Sequence, residues 1–254
     1  MKPIRLIPLL GALLAVAGAP AQAQQRTLIV SAAASMKDAM TEIGHDFEQR
    51  HPDVQVHFNF GASGALELQI EQGAPVDAFL SAADRNMNDL AAKGLLAKNT
   101  RSTIARNSLV LIVPAGSKLA IGGFGDATKS FVNRIAVGDP ESVPAGKYAE
   151  QVFTRLKMWN AVLGRAVLCK DVRMVLTQVE LGNVDVGVVY RTDAAITDKV
   201  RVVATSPEAW HGPIDYPAAV IAASHDQAGA RALVNFLGSI EAKGVLKKFQ
   251  FITP

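Results

Sequence analysis

Short apolar runs alternate with longer stretches of helical period along most of the chain, and no other feature restricts the fold as strongly. "TLIVSAAA" (27–34) reads as a strand, and residues 35–50 follow with Met36, Ala39, Met40, Ile43 and Phe47 at helical spacing until Pro52 stops them. "VQVHFNF" (54–60) alternates as a strand does, and residues 63–72 read as a helix ended by Gly73 and Pro75. "VDAFLSA" (76–82) is a third strand, and 84–93 a short helix closed by Gly94. Further strands are expected at "NSLVLIVP" (107–114), "RIAVGDP" (134–140), "DVGVVY" (185–190), "VRVVAT" (200–205) and "YPAAVIA" (216–222). Helices are expected over 145–157, 171–181 and 226–248, the last broken near Gly238 or Gly244. Strand-then-helix order, repeated, implies an α/β fold with largely parallel sheets. No internal repeat, low-complexity tract or obvious linker divides the chain, so any two lobes must be joined through strands.

The first residues bear on the compartment. Lys2 and Arg5 precede "LIPLLGALLAVAG", an apolar run short for a membrane span, and Ala21 and Ala23 have the small-x-small spacing of a signal peptidase site. Residues 1–23 are therefore read as a removed secretory signal rather than an anchor, with no Cys beside the cleavage site to take a lipid. Without Lys2 and Arg5 the 26 basic residues fall to 24, against 23 acidic ones. That balance offers no electrostatic case for nucleic acid. The single cysteine, Cys169, excludes an intramolecular disulfide and has no His/Cys cluster around it, so it reads as a small buried hydrophobe.

"NFGASGALELQI" (59–70) raises the chemical question. A nucleophile elbow has the pattern G-x-S-x-G, and here Gly61 and Ser63 fit while Ala65 stands in place of the last glycine. The other reading is an anion cradle: a helix start offers unpaired N–H groups, a partial positive charge and, in Ser63, a hydroxyl donor. A serine there also serves simply as a cap. Similar starts recur. Ser35 opens "SMKD" after the first strand, "SVPAGKY" puts Pro144 and Ala145 at a helix start, and "KDVR" puts Asp171 at an N-cap with Val172 in the first turn. In open α/β sheets ligands collect beyond the carboxyl ends of strands, where four such starts can converge on one small anion. Lys37, Lys147 and Arg173 lie within expected helices and read as solvated, and Gly146-Lys147 lacks the earlier glycine of a P-loop.

"AAASMKDAM", "FNFGASGALELQIEQGAPVDAFLSA", "NSLVLIVP", "AVGDPESVPAGKYAEQ" and "DVGVVYRTDA" together resemble the periplasmic molybdate-binding proteins of ABC importers, over nearly all of the mature chain. The resemblance implies a type II periplasmic binding protein: two α/β lobes, each with a mostly parallel sheet flanked by helices, and an oxyanion held in the cleft between them. It implies a ligand set of the Ser35 and Ser63 hydroxyls, the Ala145 and Val172 amides and the Tyr190 phenol, with molybdate or tungstate as ligand and molybdenum present only as that oxyanion. It implies no catalytic residue and no cofactor, a membrane permease as partner, a periplasmic location and a monomer. Lobe 1 is expected over 24–106 and 206–254, lobe 2 over 107–205. "GASG" is poorer in serine than in some relatives of that family, which leaves open what joins Ser63 as second donor.

An all-donor pocket suits an anion without a proton. Phosphate near neutral pH keeps one, which would go unpaired in a dry site, whereas sulfate is excluded only by size. The alternatives are a sulfate-type or broader oxyanion binder, an exported sensor with the same pocket, and a secreted serine hydrolase using Ser63.

Overall fold

The computed structural model describes residues 25–254, so the expected signal segment lies outside the described residues. The chain begins with β1 (Arg26–Ala33), α1 (Lys37–Arg50), β2 (Val54–Gly61), α2 (Ser63–Glu71), β3 (Ala78–Leu80), α3 (Asp84–Ala92) and β4 (Ser102–Arg106). It continues as β5 (Leu109–Pro114), β6 (Ile135–Gly138), α4 (Pro144–Arg155), α5 (Trp159–Leu163), β7 (Ala166–Cys169), α6 (Val172–Glu180), β8 (Val186–Tyr190), α7 (Arg191–Ala194) and β9 (Val200–Thr205). It ends with β10 (Asp215–Val220), α8 (Gln227–Phe236) and α9 (Ile240–Lys248).

Among the described residues the strands form two five-stranded sheets, ordered β2-β1-β3-β10-β4 and β7-β6-β8-β5-β9. Both are mixed. The strand-helix-strand units give parallel pairs, β1 with β2 and β3, and β6 with β7 and β8. Antiparallel pairs lie where the chain changes sheets: β10 with β3 and β4, and β5 with β8 and β9. The crossings run between Arg106 and Leu109 and between Thr205 and Asp215, so two lobes are joined by two strand-to-strand passages.

Amphipathic helices supply the cores. α1 buries Ala39, Met40, Ile43 and Phe47, and α6 buries Val172, Val175, Leu176 and Val179, each a stripe at 3.6-residue spacing facing a sheet. The strands beneath, such as β5 and β8, are buried along nearly their whole length, as strands covered on both faces must be.

Several elements differ from the expectation. β4, β7, α5 and α7 are added, and the strand expected at 76–82 shortens to β3. The helix expected over 226–248 breaks between α8 and α9, where Gly238 donates to the Asn235 carbonyl at 3.0 Å and Ser239 caps α9 by accepting from the Ala242 N–H at 3.1 Å. Gly244 instead lies inside α9. Cys169 is 1% exposed and unpaired. No helix among the described residues is long and apolar enough to cross a membrane.

Candidate functional site

The carboxyl ends of β1, β2, β6 and β8 meet where the lobes face each other. Ser35 sits in a single 3-10 turn, Ala34–Met36, directly after β1. Ser63 is the first residue of α2, directly after β2. Ala145 is the second residue of α4, which starts on Pro144. Val172 is the first residue of α6, whose N-cap Asp171 accepts from the Met174 N–H at 2.8 Å. Tyr190 closes β8. The structure brings all five onto the wall of one small cavity, with Ala33, Gly61, Ala82 and Val143 among its other lining residues. With about 10 Å³ of free volume, near the roughly 10–15 Å³ that one water needs, it fits an occupant of only a few heavy atoms. A larger groove of about 180 Å³ runs alongside, between the start of α3 and α4, and shares Val143 and Pro144 with the cavity.

Ala145 and Val172 are placed to use their backbones. At the first and second positions of a helix the N–H has no acceptor within the helix, and the helix dipole makes that end partly positive. α4 can bring its start this close to β6 because residue 146 is glycine: a Cβ there would lie 2.0 Å from the Gly138 carbonyl oxygen. None of the lining residues carries a charged side chain.

Three hydroxyls, those of Ser35, Ser63 and Tyr190, line the cavity as well. Ser63 is 1% exposed, and its Oγ accepts from the Ala82 N–H at 3.0 Å, which frees its own hydrogen for something else. Ser63 therefore caps nothing in α2; its Oγ is spent on the end of β3. Ser35 Oγ lies 2.9 Å from the Tyr216 hydroxyl. The Tyr190 hydroxyl is buried with no protein partner. Burial first, then the neighbouring Tyr216, pushes the Tyr190 phenol well above its ordinary range, so it keeps its proton and remains a donor.

Arg173 is the departure from the expected solvated face. It is largely buried and reaches across the lobes from α6: Nη2 donates to Asp38 of α1 at 2.6 Å and to the Ser35 carbonyl at 3.3 Å. Its Nε stands 2.7 Å from Asp193, whose other oxygen accepts from the Tyr190 N–H at 3.2 Å. Asp193 is fully buried, and burial raises its pKa to about 6 against the opposing pull of Arg173. With two carboxylates beside it, the guanidinium is already neutralised and supplies no net counter-charge. Lys147 pairs with Glu150 at 2.6 Å. Tyr216 and Arg173 thus join the site through partners far off in sequence.

The hydrolase reading loses its general base. Ser63 Oγ is bonded to a backbone N–H and to no histidine among the described residues, whereas an activated serine needs a base within hydrogen-bond reach.

Comparison with known proteins gives the family and the fold. A family model described as bacterial extracellular solute-binding protein matches residues 28–252. The molybdate-binding protein ModA of Haemophilus influenzae is 39% identical over 227 residues, covering 87% of this chain and 88% of that protein. The molybdate-binding protein ModA of Escherichia coli K12 is 37% identical over 241 residues, covering 93% of each. The solved structure of the Azotobacter vinelandii periplasmic molybdate-binding protein matches with a TM-score of 0.80 at 22% identity, covering 89% of this chain and 99% of that one, a likeness of fold.

Proposed function

The chain belongs to the bacterial extracellular solute-binding proteins, and from that premise we propose that it captures molybdate, and tungstate with it, for delivery to the permease of an ABC importer. It is a binding protein and not an enzyme. The observation that carries the reading is a small cavity between the lobes lined by hydroxyls and helix-start amides without a charged side chain. In this reading Ser35, Ser63 and Tyr190 donate O–H, and Ala145 and Val172 donate N–H. A dianion without a proton is satisfied by donors alone. An anion that keeps a proton brings a donor of its own into a site that gives it no dedicated acceptor. The relatives of highest coverage reported above are molybdate-binding proteins, which favours the larger oxyanions over sulfate.

The lobes divide in this reading at 24–106 with 206–254 and at 107–205, close to the ends of β4 and β9. The mature chain acts in the periplasm as a monomer.

Thermal melting tests the ligand. Molybdate or tungstate at about 100 times its Kd adds roughly 2.7 kcal/mol, or roughly 5–10 °C for a chain of this size. Phosphate leaves the melting temperature where it is. No shift with either metal oxyanion ends this reading, and an equal shift with sulfate replaces it by a broader oxyanion binder.

A further inference from the structure

Asn107 stands in the two-residue passage between β4 and β5, where the chain crosses from one lobe to the other. Its backbone N–H donates to the Ile214 carbonyl at 3.0 Å, so it also touches the segment that returns. Its side-chain orientation is fixed by chemistry. The Ser108 N–H donates to Oδ1 at 2.9 Å, so the other terminal atom is the amide nitrogen, which has two hydrogens and no lone pair to offer. One hydrogen goes to Thr192 Oγ1 of α7 at 2.9 Å and the other to the Tyr216 hydroxyl oxygen of β10 at 3.2 Å.

The direction of every later hydrogen bond follows. Tyr216 is fully buried, and burial, then Asp193, raises its phenol well above the ordinary range, so it keeps its hydrogen. That hydrogen cannot point back at an amide that is itself donating. The remaining partner is Ser35 Oγ at 2.9 Å. Ser35 then accepts from Tyr216, and its own hydrogen must turn elsewhere, into the cavity it lines.

We propose that Asn107 and Tyr216 are positioning residues that lock Ser35 as a donor toward the oxyanion through a one-way relay, Asn107 to Tyr216 to Ser35. The proposal rests on the oxyanion-binding reading and deepens it. The relay does for Ser35 what the Ala82 N–H does for Ser63, but from the crossing between lobes instead of from a neighbouring strand. It sets the hydroxyl before the ligand arrives, which lowers the ordering cost of binding. It also explains why a neutral serine serves an anion here: its lone pair on the Tyr216 side is taken.

Reversing the relay tests it. Asn107→Asp keeps the shape and the Ser108 contact but presents an acceptor to Tyr216. The Tyr216 hydrogen turns to the carboxylate, the Ser35 hydrogen turns to Tyr216, and Ser35 shows the anion a lone pair. Calorimetry with molybdate on the whole secreted chain should give at least a tenfold loss for Asn107→Asp. Tyr216→Phe, which leaves Ser35 free to rotate, should lose threefold or less. The double variant should return to the Tyr216→Phe affinity, since without the phenol the reversal cannot reach Ser35. A plain charge repulsion or a packing defect at position 107 would leave the double variant as weak as Asn107→Asp, and that result overturns the relay, as does wild-type affinity in Asn107→Asp. Should Asn107→Asp not fold, as judged by ligand-free melting, Asn107→Ala takes its place, with a smaller loss and the same cancellation. If the wild type binds neither molybdate nor tungstate, the oxyanion reading and the relay fall together. If it binds and the cancellation is missing, only the relay falls.

Discussion

Ser63 and Tyr190 are both buried hydroxyls on the same cavity, yet their removal has different consequences. Ser63 Oγ satisfies the Ala82 N–H within one lobe. Ser63→Ala therefore leaves a buried amide unpaired, at about 1–3 kcal/mol of stability, and removes a charged-group hydrogen bond, at about 1–3 kcal/mol of molybdate binding. The Tyr190 hydroxyl has no protein partner. Tyr190→Phe should weaken binding by a similar amount while ligand-free melting stays level or rises. Melting curves and calorimetry on the two variants check this contrast; a Tyr190→Phe chain that melts earlier but binds normally would make the phenol structural. Four of the five proposed donors, Ser35, Ser63, Ala145 and Val172, are legible in the sequence because each sits within a residue or two of a turn or cap signal, whereas Tyr190 reads locally as a strand-end aromatic and enters only through the resemblance. The residues that aim these donors are not legible. Asn107 is 109 positions from Tyr216, and Tyr216 is 181 from Ser35. Arg173 lies 135 from Asp38. No local pattern encodes a partner at that distance, so an inward arginine reads as one more polar residue on a helix face.

Among the elements, α2 shows how a helix start serves two purposes. Ser63 gives its hydroxyl to the cavity, and the next residue, Gly64, donates its N–H across the cleft to the Ser142 carbonyl at 3.0 Å. The fit is close: a Cβ on Gly64 would lie 2.7 Å from that oxygen and 3.1 Å from Ser142 Cα. Both are backbone atoms that cannot swing aside. Gly64→Ala should consequently oppose closure without harming the separate lobe, and alanine is the better helix former by about 1 kcal/mol. Ligand-free melting should hold or rise, molybdate affinity should drop at least tenfold, and X-ray scattering at saturating molybdate should show a larger radius of gyration than the wild type. Full compaction in that variant would mean that the contact is incidental. The longer elements are legible because α1, α4 and α6 each repeat their apolar stripe over two or more turns. α7 has four residues and α5 five, too few for a period to emerge. β7 is a sheet-edge strand whose Leu168 is half exposed, so its burial does not alternate. The break between α8 and α9 is legible in Gly238, while Gly244, with open space where a Cβ would be, is a glycine the helix simply tolerates.

At the level of the whole molecule the question is what a ligand must do to keep two lobes together. Binding shifts an open–closed equilibrium only by the difference in affinity for the two forms. Contacts made solely on closure add to that difference. Besides the Gly64–Ser142 bond, there is among the described residues one such ion pair, Arg173 of α6 with Asp38 of α1. The Arg173–Asp193 contact stays within one lobe and survives opening. Asp38 sits on the far lobe and is partly exposed, so solvent screens the pair and its worth is about 1 kcal/mol or less. Asp38→Asn keeps an oxygen for the guanidinium but removes the charge. The apparent Kd scales inversely with the fraction of closed-competent chain, so affinity for molybdate should fall by up to about fivefold. The loss should appear in the dissociation rate, because capture occurs before the pair forms. Added salt should shrink the difference between variant and wild type, since a partly exposed pair is screened while the buried donors are not. Ligand-free melting should not change, for no contact within either lobe is touched. Stopped-flow dissociation and melting, each at low and high salt, decide the matter: a slower association with unaltered dissociation would mean that Asp38 steers the approach of the anion and plays no part in holding the lobes shut.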